Sequence, residues 1–400
     1  MVKRNASPKE IATNWRTETM QVRGGTMRSE FGETSEAIFL NSGFCYDNAE
    51  IAESRFNGVA SGYVYSRYLN PTLHMLEMRL AMLEGAEAAT VMGSGMAAVF
   101  ASLMSHLKVG DHVVAHRVLF GSCHYILAEI CPRFGIEVSF IDGTKDGSWQ
   151  EAMRPNTKCV FIETPANPTL EVLDIAHIAE VCKANGAMLI VDNILAGVQT
   201  QTPLALGADI VVYSTTKHMD GQGRTLGGAV LGNADFIKDV ITPFHRHTGP
   251  ALSPFNAWVI LKSLETYSLR MERHNNNAIY LANMLEAQAN IVRVNYPLLK
   301  SHPQYAIAAK QMNAGGNMIA FEVAGGKEGA FAFMNKLQLI DISNNLGDSK
   351  SLITHPATTT HANMTASAQL EIGITQGLVR LSVGLEHMLD LEEDLLKALR

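Results

Sequence analysis

Cysteine is scarce in this 400-residue sequence, and the five there are lie far apart: Cys45, Cys123, Cys131, Cys159 and Cys182. None forms a Cys-x-x-Cys pair or takes the spacing of a zinc finger, and an odd number leaves no complete disulfide framework. Cys159 and Cys182 sit in apolar segments, where a reduced thiol behaves as a small hydrophobe. A reducing cytoplasm is the expected setting. Basic charge is also short, with 32 Lys and Arg against 39 Asp and Glu and a formal net charge of −7. No surplus exists to neutralise nucleic-acid phosphates, so no nucleic-acid partner is expected. No window approaches eighteen uninterrupted apolar residues, which argues against a membrane span. The first twenty residues hold Lys3, Arg4, Glu10 and Trp15 but no apolar core of signal-peptide length. Metal-ligand patterns are missing as well. His245 and His247 are two apart, His112 and His116 fall in an apparent strand, and 14 scattered histidines yield such pairs by chance. No metal site is expected.

What is present is an ordinary globular composition, 47% hydrophobic and 18% charged. The length exceeds one ordinary core and implies two domains. Residues 1–65 show no clear alternation of elements and read as an extended arm. From Ala88 onward, apolar runs of strand length recur at 88–92, 112–116, 137–141, 159–163, 188–192 and 210–213. Helical stretches at 96–107, 125–134 and 175–185 separate several of them. Such alternation predicts parallel strands covered on both faces, and the continuous apolarity of each run is what two-sided burial requires. A long helical pattern follows Phe255 to about Ala289, then a smaller mixed segment with strands near 318–323 and 377–383. The expected division is an arm over 1–65, a large domain over 66–260 and a smaller one over 261–400.

Ligands of an open parallel sheet bind beyond the carboxyl ends of its strands, and three such ends carry chemistry. Gly93-Ser94-Gly95-Met96-Ala97-Ala98 turns from strand into helix, where glycines admit an anion to the free N–H groups of the first turn. Alone it is a common tight turn or a weak dinucleotide fingerprint. The apolar run Leu189–Val191 ends in Asp192, which alone could be a turn cap. Asp209-Ile210-Val211-Val212-Tyr213-Ser214-Thr215-Thr216-Lys217 delivers hydroxyls and an amine to one place, followed by Gly221, Gly223, Gly227 and Gly228. So many glycines imply a backbone crowded against something. Together the three meet the needs of pyridoxal phosphate: Lys217 for the aldehyde, Asp192 for the ring nitrogen, and Gly95, Met96, Ser214 and Thr216 for the phosphate. A dinucleotide leaves Lys217 and the hydroxyls without a role.

The segment Asp209 to Gly223 resembles the lysine signature of the Cys/Met-metabolism family of pyridoxal-phosphate enzymes. Tyr65-Ser66-Arg67-Tyr68-Leu69-Asn70-Pro71-Thr72, Glu163-Thr164-Pro165-Ala166-Asn167-Pro168 and Arg380-Leu381-Ser382-Val383-Gly384 extend the likeness from Thr26 to Gly384. It implies an α/β fold of the aspartate-aminotransferase type (fold type I), with a mostly parallel large domain and a smaller carboxyl-terminal domain. It also implies a homotetramer of two dimers with shared active sites. In that arrangement Tyr65 and Arg67 reach the neighbouring subunit's cofactor phosphate, Arg67 through its planar fork, and Tyr65 also meets substrate. Asn167 hydrogen-bonds the cofactor's phenolic oxygen, and Arg380 holds the substrate carboxylate.

Two departures narrow the resemblance. Phe120 stands where a ring-stacking tyrosine is usual, and Asn345, placed by the likeness at the substrate, stands where lyase members often carry serine. With Lys217-His218-Met219-Asp220-Gly221-Gln222-Gly223, these features are most similar to sulfhydrylases that act on O-succinylhomoserine. The implied partners are a homoserine ester and sulfide, and the reaction is γ-replacement giving homocysteine and succinate for methionine biosynthesis. Cystathionine γ-synthase, methionine γ-lyase and O-acetylhomoserine sulfhydrylase are the alternatives within the family. A non-catalytic cofactor-binding regulator is the alternative outside it, and the pairing of Lys217 with Arg380 speaks against that. The acyl group and the choice between sulfide and cysteine stay open.

Overall fold

The computed structural model describes residues 15–400, so Lys3, Arg4, Glu10 and the start of the expected arm lie outside the described residues. Seven strands form the larger sheet: β1 (Ala88–Met92), β2 (His112–His116), β3 (Glu137–Ile141), β4 (Thr157–Glu163), β5 (Met188–Asp192), β6 (Ile210–Tyr213) and β7 (Gly228–Gly232). Six of them are the apolar runs read from the sequence. The seventh, Gly228-Ala229-Val230-Leu231-Gly232, is bounded by glycines, which weaken its strand signal.

The strand order is β1-β7-β6-β5-β4-β2-β3. β2 to β6 pair in parallel, and β7 is antiparallel to both β6 and β1. Two reversals cancel, so β1 runs with the parallel set. The carboxyl ends of β1, β2, β4, β5 and β6 therefore open on one edge, where the helix-capping turns and the lysine loop emerge.

Alternation along each strand explains why the runs are apolar throughout. Val160, Ile162, Leu189 and Val191 enter one core with Leu73, Leu76 and Leu80 of the helix Pro71–Glu84. Phe161 and Ile190 enter another with Ala98 and Val99 of the helix Gly95–Met104. Each of these Val, Leu, Ile and Phe side chains, buried, contributes about 1.5–3 kcal/mol relative to exposure.

The helical run after Phe255 is two helices, Pro254–Leu264 and Tyr267–Glu286, and residue 260 falls inside the first. Beyond them lies a second sheet of order β10-β11-β12-β9-β8, made of β8 (Ile291–Asn295), β9 (Met318–Val323), β10 (Asp341–Ile342), β11 (Leu352–Thr354) and β12 (Leu378–Ser382). Leu281 and Leu285 pack on it from one helix, Leu391 and Leu395 from the carboxyl-terminal helix Met388–Leu399. The helix expected over 125–134 is instead three short pieces, Gly121–Tyr125, a π turn Ile126–Ile130 and Cys131–Arg133. Pro132 removes a donor from its last turn.

Candidate active site

The strand ends surround a cavity of about 530 Å³, closed on its far side by Asn344, Asn345, Leu346 and Arg380 of the second sheet's region. Gly95, Met96, Phe120, Asn167, Asp192, Ser214, Thr216 and Lys217 line the opposite side. Residues from motifs scattered along the chain thus meet in one space.

At the first strand end, Ser94 caps the helix by accepting the Ala97 N–H at 3.1 Å. The N–H groups of Gly95 and Met96 have no carbonyl to pair with inside the helix, and both residues line the cavity. A Cβ on Gly95 would lie 2.7 Å from the Ser214 Cβ. Glycine alone lets the lysine loop come this close to the helix start, which places the Ser214 hydroxyl beside two free amides. Thr216 is less available: its hydroxyl accepts the Gly227 N–H at 3.0 Å.

The crowding implied by the later glycines is visible. Gly223 has a positive φ of 67°, and a Cβ there would meet the Asp348 carboxylate at 2.5 Å. The loop after Lys217 is thereby pressed onto the segment that carries Asn345. Lys217 Nζ donates to Asn345 Oδ1 at 2.8 Å. Burial, then the nearby Arg380 cation, lower the amine's pKa to about 8, so a useful fraction is neutral and nucleophilic near neutral pH. Its neighbour His218 is fixed by Asn317 Oδ1 at 2.7 Å.

Asp192 is buried at the end of β5, accepting the Ile194 N–H at 3.1 Å and facing the Cys123 thiol at 3.8 Å. Burial pushes its carboxyl up to about 7, against those two bonds. A cation brought beside it would restore the ionised form. Arg380, also buried, donates to Asn167 Oδ1 at 2.8 Å and to the Asn344 carbonyl at 2.9 Å. Its Nε has no hydrogen-bond partner among the described residues. Burial lowers its pKa to about 10, still leaving it a cation at neutral pH.

Tyr65 and Arg67 do not line this cavity. Tyr65 is half-exposed, and the Arg67 guanidinium lies 5.4 Å from its ring and 5.0 Å from that of Tyr68 while bonding the Arg246 carbonyl. Both sit outside the residues that line the cavity. The cavity also takes in side chains to which the sequence motifs assign no task, chiefly Glu163, Cys123 and Thr360. Glu163 could have been found by the rule that picked out Asp192, since it too ends an apolar run as a carboxylate.

The profile of the Cys/Met metabolism PLP-dependent enzymes matches residues 18–400. The chain belongs to this family. Among its relatives is the O-succinylhomoserine sulfhydrylase of Mycobacterium tuberculosis, 48% identical over 399 residues and covering 98% of each chain. The L-methionine gamma-lyase of Porphyromonas gingivalis is 41% identical over 379 residues, covering 94% of this chain and 95% of its own. A Campylobacter jejuni protein solved with N'-pyridoxyl-lysine-5'-monophosphate superposes with a TM-score of 0.93 at 33% identity, covering 96% of this chain and 100% of that one. The enzyme is accordingly pyridoxal-phosphate dependent, with the type I fold.

The site fits that cofactor. The Gly95 and Met96 amides and the Ser214 hydroxyl would hold a phosphate dianion, Lys217 would bond the aldehyde, and the buried Asp192 carboxylate would meet the ring nitrogen. Phe120 offers an aromatic face, and the Asn167 amide a polar edge.

Proposed function

We propose that this enzyme is an O-succinylhomoserine sulfhydrylase: O-succinyl-L-homoserine and sulfide give L-homocysteine and succinate. The observation that carries the reading is Phe120. The cavity has its base, its carboxylate and its carboxylate-binding arginine, yet the aromatic position beside them has no proton to give. Succinate leaves as a stable carboxylate and needs no acid, whereas a thiolate leaving group does. The 48% identity to a sulfhydrylase, against 41% to a lyase, points the same way.

Bound pyridoxal phosphate supplies an electron sink for the carbanion formed next to the substrate nitrogen. The chain's own groups do the rest. Arg380 binds the substrate α-carboxylate, using the Nε that has no hydrogen-bond partner among the described residues. Lys217, freed from its covalent bond by the substrate amine, removes the α-proton with Nζ, and a β-proton must also be lost. Asn345 Oδ1, 2.8 Å from that nitrogen, holds it in line during the transfers. Sulfide adds at the γ-carbon that succinate has left, and Lys217 returns the protons.

A substrate panel tests the reading. Succinyl-, acetyl- and phospho-homoserine are each offered with sulfide or cysteine, and homocysteine, cystathionine and 2-oxobutyrate are measured. Succinylhomoserine with sulfide is expected to give the highest kcat/KM. A preference for cysteine as nucleophile would make the enzyme a cystathionine γ-synthase instead. Phe120→Tyr adds a hydroxyl without removing the ring face, and it should raise elimination of methionine to 2-oxobutyrate relative to γ-replacement. One poorly supported acid would add at most about 10²-fold. Efficient methionine elimination by the wild type would show that Phe120 is not what holds the activity back.

We further propose that the arm and the Tyr65–Arg67 face complete the neighbouring subunit's site in a tetramer of two dimers, in a reducing cytoplasm. Arg67→Ala and Lys217→Ala proteins are each expected to be inactive or weak alone. After subunit exchange, random pairing in a two-fold dimer leaves roughly a quarter of sites with both residues intact. Activity of the mixture should rise accordingly, and proven exchange without recovery would rule out the shared site.

A further inference from the structure

Glu163 ends β4 as Asp192 ends β5, and the two stand opposite each other in the parallel ladder. Neighbours in register point to the same side, so both carboxylates face the cavity edge, and both are buried. Glu163 uses its two oxygens separately. Oε2 accepts the Phe120 N–H at 2.7 Å, and Oε1 accepts the Asn167 N–H at 3.0 Å. Phe120 lies on the loop after β2 and Asn167 on the loop after β4, so a single side chain joins two otherwise separate loops. Asn167 in turn receives Arg380 Nη1 through its side-chain oxygen.

We propose that Glu163 is a positioning residue for the cofactor ring. It fixes the Phe120 face and the Asn167 edge relative to Asp192, so that three contacts on the ring move as one rigid unit. A carboxyl group suits this task because its two oxygens can each accept from a different direction. It is also a costly choice, since a second buried carboxylate beside Asp192 disfavours ionisation of the pair. The proposal depends on the cofactor and not on the ester, so it can fail while the sulfhydrylase reading stands, and the reverse.

The test uses Glu163→Gln in the full-length enzyme, stripped of cofactor and titrated with pyridoxal 5'-phosphate. Glutamine keeps one acceptor and turns an NH2 toward the other backbone N–H. Leaving a buried donor unpaired in this way is expected to weaken cofactor affinity by about tenfold or more. Visible circular dichroism per bound cofactor, which reports how rigidly the ring is held, should fall. The melting temperature gained on cofactor binding should shrink more than that of the cofactor-free protein. Wild-type affinity together with wild-type dichroism, whatever the melting temperature, would overturn the proposal and leave Glu163 a loop stitch. If the glutamine variant does not fold, Glu163→Asp takes the same measurements. It keeps the charge but is one methylene too short to reach both loops, and the same two results decide.

Discussion

Lys217→Ala should reduce turnover to background while leaving the fold intact. Removal of a positioned acid–base group alone costs about 10²–10⁴-fold, and here the covalent anchor of the cofactor is lost with it. The structure gives a reason to expect a clean loss. Lys217 is the only lysine lining the cavity among the described residues, and Arg380, though cationic, is committed to Asn167 and Asn344. The lowered pKa of Lys217, about 8, adds that no surface lysine could stand in as base. Folding should tolerate the change, because Nζ makes a single hydrogen bond, to Asn345. The checks are homocysteine formation from succinylhomoserine and sulfide, and the far-ultraviolet circular dichroism of the variant. A variant retaining a tenth of the wild-type rate would show that Lys217 is not the base.

The parts of the site that could be read from the sequence are those written in one local stretch. Lys217 with its hydroxyls and glycines spans a strand end and its loop, and Gly95 and Met96 sit at a helix start. Asp192 closes a run whose apolarity already implied burial. Each follows from a strand period and a turn, and each is where the sheet's carboxyl edge places it. Arg380 and Asn167 became site residues through the family likeness, and their contact spans 213 residues of separation. The bond from Lys217 to Asn345 spans 128. Nothing in local composition encodes such pairs, because they depend on how the second sheet's loops close over the first.

That Glu163 ends an apolar run as a carboxylate is readable locally, but that it stands beside Asp192, with β4 and β5 in register, is a property of sheet order. The same holds for β7, whose place between β1 and β6 makes the sheet mixed. A short glycine-bounded stretch becomes a strand because two neighbours supply its ladder. A Cβ on Gly228 would lie 2.2 Å from the Ser94 carbonyl oxygen, so the glycine that weakens the strand signal is required by the close approach. Over 125–134 the sequence reads as one helix, whereas the chain takes a π turn and restarts at Cys131-Pro132. Pro132 marks that break; the π turn before it has no local signature.

Asp192→Asn should bind pyridoxal phosphate yet be nearly inert. The two side chains have the same shape, so the Ile194 N–H keeps an acceptor and the pocket its volume. What disappears is the charge. A carboxylate opposite a protonated ring nitrogen, in a site this buried, is worth about 4 kcal/mol at hydrogen-bonding range, which is about 10³-fold in rate. The raised pKa of Asp192, about 7, has the same origin: burial penalises the charged form. A positive partner would relieve that penalty, so Asp192 gives up its proton when the ring nitrogen keeps one. Glu163 cannot replace it, since both of its oxygens are taken by backbone N–H groups. Exchange of the substrate α-proton in deuterated buffer, followed by NMR, isolates the step that needs the charge from the later departure of succinate. Exchange is expected to fall by about the same 10³-fold as turnover, with cofactor absorbance retained. Exchange at near the wild-type rate would mean that the ring nitrogen does not need Asp192, and that this carboxylate serves only to hold Cys123 and the turn at Ile194.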